Sequence, residues 1–231
     1  MHSSKIGSRI AILLIVALLG WSVLRSLGAR MPAAPNSAMP KPNVDRPLAA
    51  KPGKETVVLA GGCFWGVQAV LEHVKGVLTA TSGYSGGYLK DPSYETVSAG
   101  VTGHAESVEV TFDPSQISFG QLLMVYFSAA HDPTQLNRQG PDTGSQYRSA
   151  IFYSNEEQKR IASAYISQLD AAKLYPEKIV TEVSPFKAFY VAEDYHQDYL
   201  KHNPDDPYIV YNDLPKLENL KKNFPTIYRE Y

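Results

Sequence analysis

The chain holds one cysteine among 231 residues, Cys63. A single thiol excludes an intramolecular disulfide and any multi-cysteine zinc or iron–sulfur site within one chain, which leaves a buried inert thiol or a reactive one. Excess charge is also missing: 22 Lys and Arg face 23 Asp and Glu, and no basic run occurs outside the N-terminal leader. That balance removes the electrostatic footprint of nucleic-acid binding. There is no internal repeat. The glycines of "GYSGGY" at Gly83 to Tyr88 lack the strand–GxGxxG–helix context of a phosphate site and read as a tight loop.

The N-terminus carries the apolar run "IAILLIVALLGWSVL", Ile10 to Leu24, behind Lys5 and Arg9 and closed by Arg25. This is the layout of a signal peptide or signal anchor over residues 1–30. At about 1.5 Å rise per residue the run is short for a hydrocarbon core of about 30 Å. The basic flank predicts that everything after it is exported, to a periplasmic or other extracytoplasmic space, either released or tethered through residues 10–24. Residues 31–55 include six prolines and little apolar content, so a disordered tether is expected there. One domain of roughly 175 residues, 56–231, remains, long enough for a real core.

Within it "TVVLAGG", Thr56 to Gly62, reads as a buried strand, and Val67, Val70, Leu71 and Val74 then recur at helical spacing. "ESVEVTFDP" alternates as a strand with Val108, Val110 and Phe112 on one face. Ser118 and Gln121 form a capping box opening a helix through "SFGQLLMVYFSAAHD", and Ser154 with Glu157 suggests a second, opening the helix of Ile161, Tyr165 and Leu169. Strands fit "YRSAIFYS" and "KIVTEVS", and "AEDYHQDYLKHN" a short helix. Intermixed strands and helices on short links predict an α/β or α+β sandwich around one sheet.

Cys63 thus falls at a strand-to-helix junction, where the first N–H groups of the helix favour a thiolate. Phe64 and Trp65 act the other way, since aromatic cover strips hydration from the sulfur and raises its pKa. The sequence leaves that contest open. By strand parity Glu106 shares the inward face of Val108, Val110 and Phe112, a place where burial keeps a carboxyl protonated near neutrality; a strand starting one residue later would leave it a solvated loop residue.

Six stretches in series, "GCFWG" at Gly62 to Gly66, "GYSGGY", "TGHAE" at Thr102 to Glu106, "HDPT" at His131 to Thr134, "GSQYRSAIF" at Gly144 to Phe152 and "AEDYHQDYL" at Ala192 to Leu200, closely resemble the A-class peptide methionine sulfoxide reductases. The likeness spans about Thr56 to Pro225. It implies an α+β two-layer sandwich with a mixed sheet and a split βαβ, ferredoxin-like core. It also implies thiol-dependent reduction of the S epimer of methionine sulfoxide, free or in proteins, with no cofactor and no metal. Carried over residue by residue, Cys63 is the nucleophile and Glu106 the proton donor. Phe64 and Trp65 line the methyl pocket, Tyr94 and Tyr147 hydrogen-bond the sulfoxide oxygen, and Asp142 holds the polar side. His104, His131 and His196 receive no chemical role and read as hydrogen-bonding scaffold.

Many such enzymes carry further cysteines in the C-terminal tail, and this chain has none after Cys63. Its tail reads as an ordered extension packing Ile209, Val210, Leu217 and Leu220. A one-cysteine cycle is therefore expected, in a monomer, with an external thiol, small or thioredoxin-like, as reductant. Two other classes remain: a cysteine hydrolase with Cys63 activated by His104 or His196, and a non-catalytic module that binds methionine segments in the aromatic pocket.

Overall fold

A computed structural model of the chain describes residues 39–230. The signal peptide or anchor expected over residues 1–30 lies outside the described residues, among which no helix is long and apolar enough to cross a membrane.

The centre of the fold is β1, Glu55–Gly61, whose Val57 to Ala60 are all buried. Its apolar run is continuous because both faces are covered. Val57 and Leu59 enter the main core, while Val58 and Ala60 join a smaller cluster with Ala105, Ala150 and Phe152 on the reverse face. The chain then forms α1, Phe64–Glu72, and β2, Val77–Ser85. After a short α2, Tyr94–Ser98, comes β3, Ala105–Phe112, which inserts between β1 and β2 and runs antiparallel to both. β1 and β2, both antiparallel to the β3 between them, are therefore parallel to each other, and with α1 they make a βαβ unit split by one strand, the core expected from the resemblance.

Next come α3, Phe119–Val125, continued by a wider turn at Tyr126–Ala130, and a two-residue hairpin of β4, Arg138–Gln139, and β5, Asp142–Thr143. β6, Ser149–Tyr153, pairs antiparallel with β1; α4, Glu156–Ala171, follows; and β7, Glu182–Pro185, runs parallel to β6. β8, Phe189–Val191, closes the far edge on β2. The six-stranded order is β7-β6-β1-β3-β2-β8, a mixed sheet with its main helices packed on one face. The chain finishes with α5, Tyr199–His202, a wide turn at Ile209–Asp213, and α6, Leu214–Asn223.

Several local expectations change. The capping box of Ser118 and Gln121 is present, but α4 is capped by Asn155, which accepts from the Gln158 amide; the Ser154 amide instead donates to the Gln158 side chain. "GYSGGY" is not one loop, because Gly83 to Ser85 end β2 and the turn begins at Gly86, whose φ is 80°. The region "AEDYHQDYL" breaks into a short 3₁₀ turn and α5 where Asp198 takes a φ of 52°. In the tail Ile209 and Leu220 are buried and Leu217 packs on the core, but Val210 faces solvent.

The largest difference concerns residues 39–54, expected to be part of a disordered tether. They lie along the domain. Met39 and Val44 pack on the core, the Tyr165 hydroxyl donates to the Pro40 carbonyl at 2.8 Å, and the Asn43 amide donates to the Gln168 side chain at 2.8 Å. Asp45 accepts from the Ser118 hydroxyl and, at 3.1 Å, from the Gly120 amide, so its carboxylate sits at the positive end of α3. Proline-rich composition argues against a self-contained core and says nothing about docking onto a neighbouring one.

Candidate active site

The turn from β1 into α1 places the thiol. Gly62 has a φ of 88°, a conformation open to glycine, and a Cβ there would lie 2.4 Å from Cγ of Gln139. Cys63 is the residue before the first helical position, with φ −54° and ψ 125°, and is 7% exposed. Burial decides the contest that the sequence left open. It pushes the thiol well above its ordinary range, and the carboxyls of Glu106 and Asp213 add to the rise; the Trp65 amide and Lys216 oppose it. The free thiol therefore rests protonated.

Glu106, on the inward face of β3, is 2% exposed and accepts a hydrogen bond from the Phe64 backbone amide at 3.1 Å. One of the otherwise unpartnered N–H groups of α1 thus fixes the carboxyl beside Cys63. Burial raises the Glu106 pKa to about 8, with smaller contributions from Asp142 and Asp213 and an opposing one from that amide. The two groups expected to carry the chemistry meet at the start of α1, both protonated at neutral pH.

Around them stands a half-buried rim of Trp65, Tyr94, Asp142, Tyr147, Tyr199 and Tyr208. Tyr94 is pushed up to about 12 by burial, then by Glu106 and Cys63, and Tyr147 is raised by burial and then by Glu106 and Asp142. Both phenols thus remain hydrogen-bond donors that share one electrostatic environment with the thiol. The Trp65 indole stacks on Tyr199 at 3.7 Å between ring centroids and donates its N–H to Nδ1 of His196 at 3.1 Å. Buried Phe64 packs on His196 at 5.0 Å and on Tyr84 at 5.9 Å, completing an apolar wall. Glu193 ties this wall to the rim, accepting from the Tyr84 hydroxyl and the Tyr94 amide, each at 2.8 Å.

The histidines are scaffold. His131 bridges the Tyr126 carbonyl and the Ser149 hydroxyl, and burial holds it down at about 3; His196 orients Trp65; His104 packs against Gly87 and Tyr190. The hydrogen bonds of His131 and His196 run to Tyr126, Ser149 and Trp65 rather than to Cys63. No group of three or more potential metal ligands occurs among the described residues.

The sequence does not single out Tyr84, Glu193 and Tyr199 of the wall and rim, nor Tyr208, Asp213 and Lys216 from the tail. The Tyr208 hydroxyl donates to Asp142, and Asp213 and Lys216 form a buried ion pair behind α1. Tyr84, Glu193 and Tyr199 lie within the stretches that carry the resemblance, and the signal for the tail residues is that the tail reads as ordered.

The sequence model of the peptide methionine sulfoxide reductase family matches residues 55–227. The peptide methionine sulfoxide reductase MsrA 2 of Mesorhizobium japonicum is 65% identical over 181 residues, 78% of this chain and 93% of that protein. The MsrA of Thermus thermophilus is 48% identical over 176 residues, 76% of this chain and 98% of its own. Among solved structures, reduced Mxr1 from Saccharomyces cerevisiae aligns with a TM-score of 0.60 at 34% identity, over 71% of this chain and 92% of that one. Methionine sulfoxide reductase A of Corynebacterium diphtheriae gives 0.57 at 37%, over 74% and 88%. Fold and site together define a thiol oxidoreductase built on a split βαβ sandwich. The chain belongs to the peptide methionine sulfoxide reductase family.

Proposed function

We propose that this enzyme reduces the S epimer of methionine sulfoxide, free or in oxidised proteins, to methionine at the expense of an external thiol, with Cys63 as nucleophile and Glu106 as proton donor. The observation that carries the assignment is the Phe64 amide holding the protonated Glu106 carboxyl at the helix start that bears the chain's single thiol.

The substrate's methyl group fits the wall of Phe64 and Trp65, and its sulfoxide oxygen meets the hydroxyls of Tyr94 and Tyr147. Cys63 Sγ attacks the sulfoxide sulfur while Glu106 protonates the oxygen, a step for which a positioned acid typically contributes about 10²- to 10⁴-fold. The thiol's own proton replaces the one Glu106 gives, so the carboxyl ends the step as it began. The oxygen passes to Cys63 as a sulfenic acid and methionine leaves. One external thiol then displaces water from the sulfenic acid to form a mixed disulfide, and a second releases Cys63 as a thiol. The external donor, small or thioredoxin-like, is required because the chain has no second cysteine. The leader's charge and apolar pattern favour action after export.

The test is dithiothreitol-dependent reduction of the separate S and R epimers of a blocked methionine sulfoxide, wild type beside Cys63→Ser. Reduction of S alone, by wild type alone, supports the assignment. Binding without reduction in both proteins would favour the non-catalytic module.

A further inference from the structure

Lys216 and Asp213 are charged groups buried beside the catalytic turn, with side chains 4% and 0% exposed and Nζ to Oδ1 at 2.9 Å. Stability alone is a weak reason for them, since a buried ion pair often does no better than an apolar pair of the same volume. Their place is more informative. A Cβ on Gly66, the third residue after Cys63, would fall 2.1 Å from Oδ1 of Asp213 and 2.8 Å from Nζ of Lys216. The pair therefore lies against the first turn of α1, in space that only a glycine leaves free.

Oδ2 of Asp213 is buried without a hydrogen-bond partner, so its charge is poorly screened. The field of the pair reaches the functional groups: Asp213 acts on Glu106, Asp142 and Cys63, and Lys216 acts on Asp142, His131 and Cys63. Lys216 is the cation that acts on Cys63, and without it the Asp213 carboxylate beside the first turn of α1 would be left unpaired.

We propose, on the reading of Cys63 as nucleophile, that Asp213 and Lys216 are a positioning pair for the thiol. They brace the first turn of α1 and set the charge balance at Sγ, the ammonium favouring the thiolate and the carboxylate opposing it. In a chain without a second cysteine, the tail thus gives the active site charge in place of sulfur.

The test is the pH dependence of Cys63 alkylation by iodoacetamide in the full chain, a readout that needs no sulfoxide chemistry. At pH values below the thiol's own, Asp213→Asn should react about tenfold faster than wild type and Lys216→Met about tenfold slower, a shift of about one pKa unit each way. Lys221→Met, which removes an exposed lysine of α6, should match wild type. A pair that merely braced the turn would loosen it in both variants and move both rates together. Such parallel movement, or an Asp213→Asn protein alkylated no faster than wild type, overturns the proposal. If Lys216→Met does not fold, the isosteric Asp213→Asn decides alone. Opposed shifts in an enzyme that reduces neither epimer would leave this pair standing and remove the reductase reading instead.

Discussion

The Phe64 backbone amide donates to Oε2 of Glu106 at 3.1 Å, joining the first turn of α1 to the start of β3. The same peptide segment that presents the Cys63 thiol therefore also orients the carboxyl beside it. Nucleophile and acid are thus held by one turn of chain.

Glu106→Gln keeps the shape and the acceptor for Phe64 but removes the proton. Turnover should fall by about 10²-fold or more with little change in folding. In wild type, kcat/KM should decline above about pH 8, where Glu106 ionises, and that limb should be absent from the variant. A pH–rate profile of both proteins checks this.

The same group makes a stability prediction. Its folded pKa lies above the ordinary 4.5, so the folded state resists ionisation and loses stability as pH rises from about 4.5 through about 8. Thermal unfolding should therefore show Glu106→Gln gaining on wild type at pH 9 relative to pH 5. An unchanged difference between the two pH values would contradict the buried, protonated state.

Tyr208→Phe removes the donor to Asp142 and leaves the ring in place. A hydrogen bond to a charged group is worth about 1.5–3 kcal/mol, so kcat/KM should drop about tenfold or more if that pair shapes the polar side of the pocket. Steady-state kinetics on the S epimer read the effect directly, and a wild-type value would make Tyr208 a packing residue.

Asp45→Ala tests the docked segment. It removes the acceptor for Ser118 and Gly120 at the start of α3 and should cost about 1 kcal/mol, a few degrees in Tm. Calorimetry showing no change would mean that residues 39–54 rest on the domain without supporting it.

The heart of the site was legible because its signals are local. Cys63 follows two glycines at a strand-to-helix junction, and the alternation of Val108, Val110 and Phe112 put Glu106 inside. β2 is not legible in the sequence because Val77, Ala80 and Tyr84 are sparse among small and polar residues, so the strand has no clear period and its glycine-rich end reads as a loop. Tyr208, Asp213 and Lys216 could not be placed from sequence, since their meaning depends on the tail docking against a helix some 140 residues earlier. The docking of residues 39–54 was hidden for the same reason: prolines describe what a segment cannot build alone, while Asp45 acts through α3.

The most direct measurement is a single turnover of the reduced enzyme with the S epimer and no added thiol, followed by mass spectrometry of the protein. The account predicts one methionine per enzyme, one oxygen gained at Cys63, and no internal crosslink. Continued turnover without thiol, or methionine formed with Cys63 unmodified, would contradict it.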